Sequence, residues 1–249
     1  MANKQNSASV DRAEIERFAA IAPQWWDENG AFKPLHRLNP TRLTFVRDRL
    51  AGHFKRDIKA RRAFTGLRLL DIGCGGGLMC EPLARLGFTV TGVDADEATL
   101  DVARRHAKAQ QLAIDYRAEP IEELRARDAQ FDAVLALEVV EHTSDPAQFM
   151  ALAGELVKPG GAFIASTLNR TPRAFLTAII GAEYVLRWLP RGTHEFKKFR
   201  RPSELARDAR CAGLKLGDLA GLHYDPWRAH WQLSKDLGVN YLLFATKPR

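Results

Sequence analysis

The sequence contains little cysteine and no long apolar run. Its three cysteines, Cys74, Cys80 and Cys211, are too few and too scattered for a disulfide framework or a zinc knuckle. We therefore expect free thiols in a reducing cytosol. No stretch of about 18 uncharged apolar residues occurs, which argues against a transmembrane helix. The polar segment from Met1 to Ser9 lacks the apolar core of a secretory signal. These absences predict a cytoplasmic protein.

The composition indicates a globular protein with an anionic partner. With 46% hydrophobic and 27% charged residues the chain is too apolar for wholesale disorder, and 249 residues suffice for one large domain. It carries 37 basic and 30 acidic residues, a net charge of +7. Such an excess favours a phosphate, an anionic membrane or a nucleic acid, without choosing among them.

The pattern of apolar residues divides the chain into four parts. Residues 1–63 form an N-terminal helical cap, in which a turn-rich segment at 25–36 precedes a basic helix at 41–63. From 64 to 169 strands and helices alternate, which predicts a parallel sheet with helices on both faces. A basic helical insert at 170–201 separates this core from the C-terminal part of the sheet at 202–249. The predicted fold is α/β, a single domain with a mostly parallel seven-stranded sheet.

A glycine-rich turn follows the first predicted strand. Gly73 and Gly75 lie in the run from Gly73 to Gly77, where glycine lets the backbone approach a ligand closely. A nucleotide cofactor then sits at the carboxyl end of the strand. Asp94, 21 residues after Gly73, is spaced to accept both ribose hydroxyls of an adenosine. The alternative is an aspartate that only caps the next helix.

The spacing of the glycines selects among cofactors. The dinucleotide fingerprint reads G-x-G-x-x-G, whereas this turn reads G-x-G-x-G and follows the acidic Asp71. A carboxylate beside the turn suits the cationic methionine moiety of S-adenosylmethionine and repels a pyrophosphate. We therefore expect S-adenosylmethionine as the cofactor and disfavour an NAD-dependent oxidoreductase.

Several segments resemble a known family. Those at 70–77, 92–94, 131–134 and 156–161 look like the motifs of class I methyltransferases, whose fold is Rossmann-like. Further segments match one subfamily, the ubiquinone biosynthesis O-methyltransferases. They are Trp25–Asp27, Phe32–Pro40, Glu138–His142, Ser166–Arg170, Gly181–Tyr184, Gly192–His194, Lys197–Phe199, Gly221–Tyr224 and Val239–Tyr241. The resemblance covers about residues 14–247.

The resemblance implies two methylations of polyprenylated phenols, one on a 2-polyprenyl-6-hydroxyphenol and one on 3-demethylubiquinol. It places the cofactor contacts on Arg42, Gly73, Asp94 and Leu137. Leu137 is a departure, because bacterial relatives can carry methionine there. Both side chains are apolar and of similar volume, so a wall facing the adenine survives the exchange. Other ubiquinone-biosynthesis enzymes are expected as partners.

The best catalytic candidates, Glu138, Glu141 and His142, follow the fourth predicted strand. A phenol has a pKa of about 10 and is a weak nucleophile at neutral pH, so a general base or a metal ion would help. The resemblance to eukaryotic relatives implies that these three residues hold a metal, for which we expect magnesium. The alternatives are His142 as a base without a metal, and carboxylates that only stabilise a helix start. Three histidines in subfamily-like segments are secondary candidates: His36, His194 and His223.

The insert combines apolar and basic residues. Its predicted helix, Arg173–Leu189 between Pro172 and Pro190, is too short and too charged to span a bilayer but fits the membrane interface. The basic residues at 197–201 add attraction to anionic lipids. We therefore expect a peripheral protein on the inner face of the cytoplasmic membrane. The alternative is a packed lid helix whose basic neighbours are solvated.

A second functional class is an RNA methyltransferase. The arginine-rich helix at 42–62 and the basic segment at 196–201 favour it. No separate recognition module accompanies these residues, so no nucleic-acid partner is expected. Another small phenol is the remaining alternative substrate.

Overall fold

The computed structural model describes residues 21–177, 196–225, 227–228 and 230–249. Within them, eight strands form one sheet in the order β3-β2-β1-β4-β5-β8-β6-β7. The strands are β1 Arg68–Ile72, β2 Thr89–Val93, β3 Asp115–Arg117, β4 Phe131–Leu137, β5 Val157–Leu168, β6 Lys215–Asp225, β7 His230–Ser234 and β8 Asn240–Thr246. Strands β1 to β5 are parallel, whereas β8 runs antiparallel to both β5 and β6, and β7 antiparallel to β6.

Helices cover both faces of the sheet. They are α1 Lys33–Phe54, α2 Cys80–Arg85, α3 Glu97–Ala109, α4 Ile121–Ala126, α5 Pro146–Glu155, the short α6 Pro172–Ala174 and α7 Pro202–Cys211. Three-residue 3-10 turns occur at Ala22–Gln24, Val140–His142 and Phe196–Lys198. No helix among these described residues is long and apolar enough to cross a membrane.

The central strands are apolar on both faces because each face meets a layer of helices. Leu69 of β1 and Ala133 of β4 belong to the core beneath α1, α2 and α3. Their successors Leu70 and Val134 belong to the core beneath α4, α5 and α7. This period of two follows from the pleat of the strand and confirms the predicted arrangement of helices on both faces.

Two predictions about the sheet and the cap need correction. The predicted sheet had seven strands, and the structure adds an eighth because β7 pairs with β6 in a hairpin. The basic helix predicted at 41–63 instead spans Lys33–Phe54. Pro34 lies in its first turn, where no backbone donor is needed, and Lys55 ends it in the left-handed region at φ 53°.

Most of the predicted insert helix Arg173–Leu189 lies outside the described residues, as does His194. The part that is described begins at α6, where the Thr171 side chain accepts a hydrogen bond from the backbone of Ala174. The assignment of the whole chain to a single domain, with its internal boundaries, stays a prediction.

Candidate active site

Three predicted site segments meet at one edge of the sheet. In the parallel register Ile72 of β1 lies beside Val93 of β2 and beside Ala136 of β4. The glycine turn after β1, Asp94 after β2 and Glu138 after β4 therefore emerge side by side. This carboxyl edge is where α/β proteins of this architecture bind their ligands.

The glycine turn depends on glycine at two positions. Gly73 and Gly75 have φ values of 68° and 52°, in the left-handed region that side chains disfavour. A Cβ atom on Gly73 would overlap the side chain of Val139, and one on Gly75 would overlap the ring of Trp25. The turn is held to β2, since the N–H of Gly73 donates to the carbonyl of Val93 over 2.8 Å.

Asp94 is oriented by the turn rather than by a helix. Its Oδ2 accepts a hydrogen bond from the backbone N–H of Gly75 at 2.9 Å, and its Oδ1 accepts one from Asp96 at 3.0 Å. Burial raises the pKa of Asp94, while these backbone hydrogen bonds lower it. The cap of α3 is Asp96, which accepts from the backbone of Ala98 and Thr99. The alternative interpretation of Asp94 as a helix cap is therefore wrong.

Asp71 is buried beneath the turn. The Cys80 thiol donates a hydrogen bond to its Oδ2 at 3.2 Å. Burial raises the pKa of Asp71 to about 7; the Cys80 hydrogen bond and the charge of Arg42 lower it, and the charge of Asp94 raises it. The predicted partner of a cationic cofactor is thus a group that gains or loses its proton near neutral pH.

Arg42 reaches from α1 to the end of β4. Its Nη2 lies 2.9 Å from Oε1 of Glu138, and the arginine side chain is only 6% exposed. Nε of Arg42 is buried without a hydrogen-bond partner, whereas Nη2 pairs with Glu138 through charge rather than through an aligned hydrogen bond. Glu138 has a positive φ of 55° and accepts the Ser166 hydroxyl at 2.7 Å. A buried donor without a partner is a group that a ligand can satisfy.

Glu141 and His142 lie in the 3-10 turn that follows Glu138. Glu141 is 2% exposed and its Oε2 accepts the hydroxyl of Thr167 at 2.7 Å, while Oε1 is buried without a partner. Burial and the charge of Glu138 raise the pKa of Glu141, whereas the charge of His142 lowers it. His142 itself is half-buried.

The structure does not assemble the predicted magnesium ligands. Among the residues it describes, no group of three or more histidine, cysteine, aspartate or glutamate side chains is placed to hold a metal ion. One carboxylate oxygen of Glu138 accepts the hydroxyl of Ser166, and one of Glu141 accepts that of Thr167. As placed, Glu138, Glu141 and His142 do not fit a common metal.

The remaining predicted residues lie at varied distances from this edge. Leu137, the last residue of β4, is half-buried against the core beneath α1. His36 is a structural residue of α1, because its Nε2 lies 2.8 Å from the carbonyl of Trp25. His223 is exposed on β6.

The adjacent tryptophans are the part of the site that motif reasoning missed. Trp25 lies against Gly75 and Gly76, and its Nε1 is buried without a hydrogen-bond partner. Trp26 donates its Nε1–H to the carbonyl of Gly76 over 3.0 Å and stacks on His106 with ring centroids 3.5 Å apart. Two tryptophans in a turn-rich segment were a usable signal, since such a pair must cover either the core or a ligand.

Comparison with known proteins agrees with this architecture. A family model described as a methyltransferase domain matches residues 70–165. A crystal structure of magnesium protoporphyrin IX methyltransferase from Synechocystis with bound S-adenosylmethionine has a TM-score of 0.63 at 16% identity, covering 97% of this chain and 100% of that one. A Thermotoga maritima S-adenosylmethionine-dependent methyltransferase, described as a possible histamine N-methyltransferase, has a TM-score of 0.65 at 19% identity, covering 94% and 98%. Likenesses at this identity support the fold alone.

Similarity in sequence is much closer to one group of enzymes. The chain is 51% identical to a ubiquinone biosynthesis O-methyltransferase of Chelativorans sp., over 96% of this chain and 95% of that protein. It is 50% identical to the Mesorhizobium japonicum protein of the same name, over 96% of both chains.

The fold confirms the predicted fold class. The matched domain and the relatives named above define the chain as a methyltransferase, which confirms the predicted enzyme class. Identity of about half the residues over nearly the whole length goes further: the chain belongs to the ubiquinone biosynthesis O-methyltransferase family.

Proposed function

We propose that the protein transfers the methyl group of S-adenosylmethionine to a phenolic hydroxyl of polyprenylated substrates, 2-polyprenyl-6-hydroxyphenol and 3-demethylubiquinol. The observation that carries this proposal is the meeting of Gly75, Asp94 and Glu138 at one edge of the sheet. A methyl donor bound at the glycine turn would lie next to the titratable residues after β4. The names of the full-length relatives support the choice of acceptor.

The direct test is methyl transfer from labelled S-adenosylmethionine to a demethylubiquinol with a short prenyl tail. We expect the label on the quinol hydroxyl, identified by mass spectrometry. If the cofactor binds and the quinol remains unlabelled, the methyltransferase class stands and the acceptor is wrong. RNA and other small phenols are then the substrates to try next.

In this proposal the cofactor is held by residues from several elements. Asp94 takes the ribose hydroxyls with the oxygen capacity that its two backbone hydrogen bonds leave free. Gly73 and Gly75 allow the backbone to approach the methionine moiety, and Leu137 forms an apolar wall for the adenine. The carboxylate of the cofactor is matched by the buried Nε of Arg42, whose Nη2 faces Glu138, and by the unpartnered indole N–H of Trp25.

His142 is the proposed general base. The sulfonium methyl group is already activated, so the enzyme must align the phenol oxygen for in-line attack and remove its proton. His142 takes that proton, because it is the half-buried titratable residue of the turn. Glu141 positions His142 from the buried side, and Glu138 fixes Arg42.

Magnesium remains a prediction separate from this scheme. To bind it, Glu138, Glu141 and His142 would have to be rearranged into a common ligand set, and no step above depends on that change. Chelation followed by restoration tests it. Activity lost in excess chelator and restored by magnesium would support the metal, whereas unchanged activity would exclude it.

The proposal includes attachment to the surface of an anionic membrane, where a polyprenylated substrate resides. The described beginning of the insert supports it, because Phe175 and Leu176 are 39% and 56% exposed. The basic residues at 197–201 lie at the end of the insert. Cosedimentation with cardiolipin-containing vesicles is the test, and equal recovery after deletion of 173–189 would count against the insert. Other ubiquinone-biosynthesis enzymes are proposed neighbours at that surface.

A further inference from the structure

The tip of the β6–β7 hairpin presents a tryptophan to solvent. Trp227 is 96% exposed, although tryptophan side chains are on average highly buried. The backbone N–H groups of Trp227 and Arg228 donate to Oδ1 of Asp225 over 2.9 and 3.3 Å. These bonds join Trp227 to the end of β6, where its indole is uncovered.

This tip projects beyond the carboxyl edge of the sheet. Leu168 at the end of β5 and Leu222 of β6 both lie level with Asn240 of β8. Past that level β6 and β7 continue to pair, as far as Asp225 with His230. Since β5 and β6 are both antiparallel to β8, they point the same way. The projecting end lies on the edge that carries the candidate active site.

The hairpin is fastened to the rest of the protein. Tyr224 and Trp231 pack across the two strands with ring centroids 5.3 Å apart. The hydroxyl of Thr41 on α1 donates to the carbonyl of Trp231 over 2.8 Å. The hairpin is thus connected to α1, the helix that also carries Arg42.

Further exposed apolar side chains lie near the same edge. Phe175 and Leu176 follow β5, and Leu233 of β7 is 38% exposed. The segment with Phe175 is tied to the connection after β7, because Arg173 Nη1 lies 2.6 Å from Oδ2 of Asp236. Together with Trp227, these side chains add to the apolar surface that is exposed to solvent near this edge.

We propose that the β6–β7 tip, Trp227 with Arg228, inserts into the interface of an anionic bilayer and docks the protein independently of the insert at 170–201. This inference rests on the proposed function, because that function places the substrate in the bilayer. Tryptophan settles at the level of lipid headgroups, and an adjacent arginine pairs with their phosphates. The net charge of +7 draws the protein to such a surface.

Charges that would oppose docking are engaged locally. The carboxylate of Asp225 accepts the N–H groups of the turn, and Asp236 is paired with Arg173. The tip therefore offers an anionic bilayer one indole and one guanidinium, with its nearest carboxylate turned to the backbone.

The test measures how the full-length protein partitions into phosphatidylglycerol vesicles and into phosphatidylcholine vesicles. Trp227→Ser is compared with Ile58→Ser. Ile58 is 46% exposed but follows the end of α1, where His53 lies 2.8 Å from the carbonyl of Gly160, near the opposite edge of the sheet. We expect Trp227→Ser to weaken partition into phosphatidylglycerol vesicles about tenfold, and Ile58→Ser to leave it unchanged.

A soluble short-tail quinol separates the possible results. We expect Trp227→Ser to methylate it at the wild-type rate, which confines the defect to docking. Equal partition of Trp227→Ser and wild type overturns the proposal and leaves docking to the insert. Slow methylation with unchanged partition makes Trp227 a substrate contact, which also overturns it. If the wild type methylates no quinol, the proposed function fails while the vesicle result still decides the hairpin.

Discussion

Arg42 and Glu138 join the N-terminal helix to the end of the central strand β4. Nη2 of Arg42 lies 2.9 Å from Oε1 of Glu138, and the two side chains are 6% and 20% exposed. The contact brings a residue from the cap to the turn that carries Glu141 and His142.

Breaking this pair should destabilise the protein. Glu138→Gln leaves the Arg42 charge buried without an opposite charge, which we expect to lower the free energy of unfolding by about 2 kcal/mol. Urea unfolding of Glu138→Gln, with and without Arg42→Met, measures this loss of stability. The double variant should recover most of the lost stability while remaining unable to bind cofactor normally. A single variant as stable as wild type would mean that the pair contributes nothing.

Glycine should be needed at position 75 because it lacks a side chain, and not only because of its backbone conformation. Gly75→Ala is compared with Gly213→Ala, since both glycines have positive φ, 52° and 76°. Each substitution adds about 1 kcal/mol of backbone strain. A Cβ on Gly213 meets nothing within 4 Å, whereas one on Gly75 overlaps Trp25. Calorimetric titration should show S-adenosylmethionine affinity reduced at least about tenfold for Gly75→Ala alone; matching affinities would argue that Trp25 yields freely.

Cofactor binding should be linked to the ionisation of Asp71. A bound sulfonium favours the carboxylate, and the pKa of Asp71 in the free protein is about 7 because of burial. Below pH 7, binding must therefore release a proton, so affinity rises with pH and levels off above pH 7. Titrations in buffers of different ionisation enthalpy count that proton. Asp71→Asn should abolish its release, and a variant that still releases it would assign the proton to another group.

Asp71 should also make stability depend on pH. Its pKa in the folded protein is raised from the ordinary value of 3.8, so the folded state holds a proton that the unfolded state has lost. The free energy of unfolding then falls as pH rises from about 4 to 7. Asp71→Asn should flatten this part of the profile in urea unfolding. An unchanged slope in the variant would contradict the assignment.

The indole N–H of Trp25 should recognise the carboxylate of the cofactor. Trp25→Phe keeps a ring over the glycine turn and removes the buried, unpartnered donor. A hydrogen bond to a charged group contributes about 1.5–3 kcal/mol, so affinity for S-adenosylmethionine should fall at least about tenfold. Decarboxylated S-adenosylmethionine should bind the variant and wild type equally, and Trp227→Phe is the control. Equal losses for both cofactors would place the N–H elsewhere.

Removal of the proposed base should affect the rate rather than cofactor binding. We expect His142→Gln to lower kcat about a hundredfold or more, with unchanged affinity for S-adenosylmethionine. The loss should shrink at high pH, where the phenol ionises without help. A pH profile of kcat for both proteins checks this. If the variant loses the same factor at every pH, His142 acts in positioning only.

Sequence alone predicts those parts of the site that depend on one strand and the turn after it. The glycine turn and Asp94 could be predicted because the glycines indicate a sharp turn and the spacing of Asp94 indicates a ribose contact. Since parallel strands end at a common edge, both were expected to lie together. The residue that caps α3 could not be predicted in this way, since the side chains of Asp94 and Asp96 can both accept hydrogen bonds from a helix start. Only the structure shows that the backbone of α3 bonds Asp96.

Contacts between distant segments could not be predicted in this way. Ser166 and Thr167 bond Glu138 and Glu141 because β5 and β4 pair in one particular register, which no local pattern specifies. The cover that Trp25 forms over the turn likewise joins segments about fifty residues apart. Strand β7 was missed because its burial alternates weakly at the edge of the sheet.

Strand order has a consequence for how the chain is synthesised. Strand β8 is the last of the eight to leave the ribosome, yet it lies between β5 and β6. Until Asn240–Thr246 emerges, the edges of β5 and β6 that pair with β8 have unpaired backbone hydrogen-bonding groups. A premature stop ahead of Asn240 would release a polypeptide with a complete cofactor turn and no means of sealing its sheet, a substrate for chaperones and proteases.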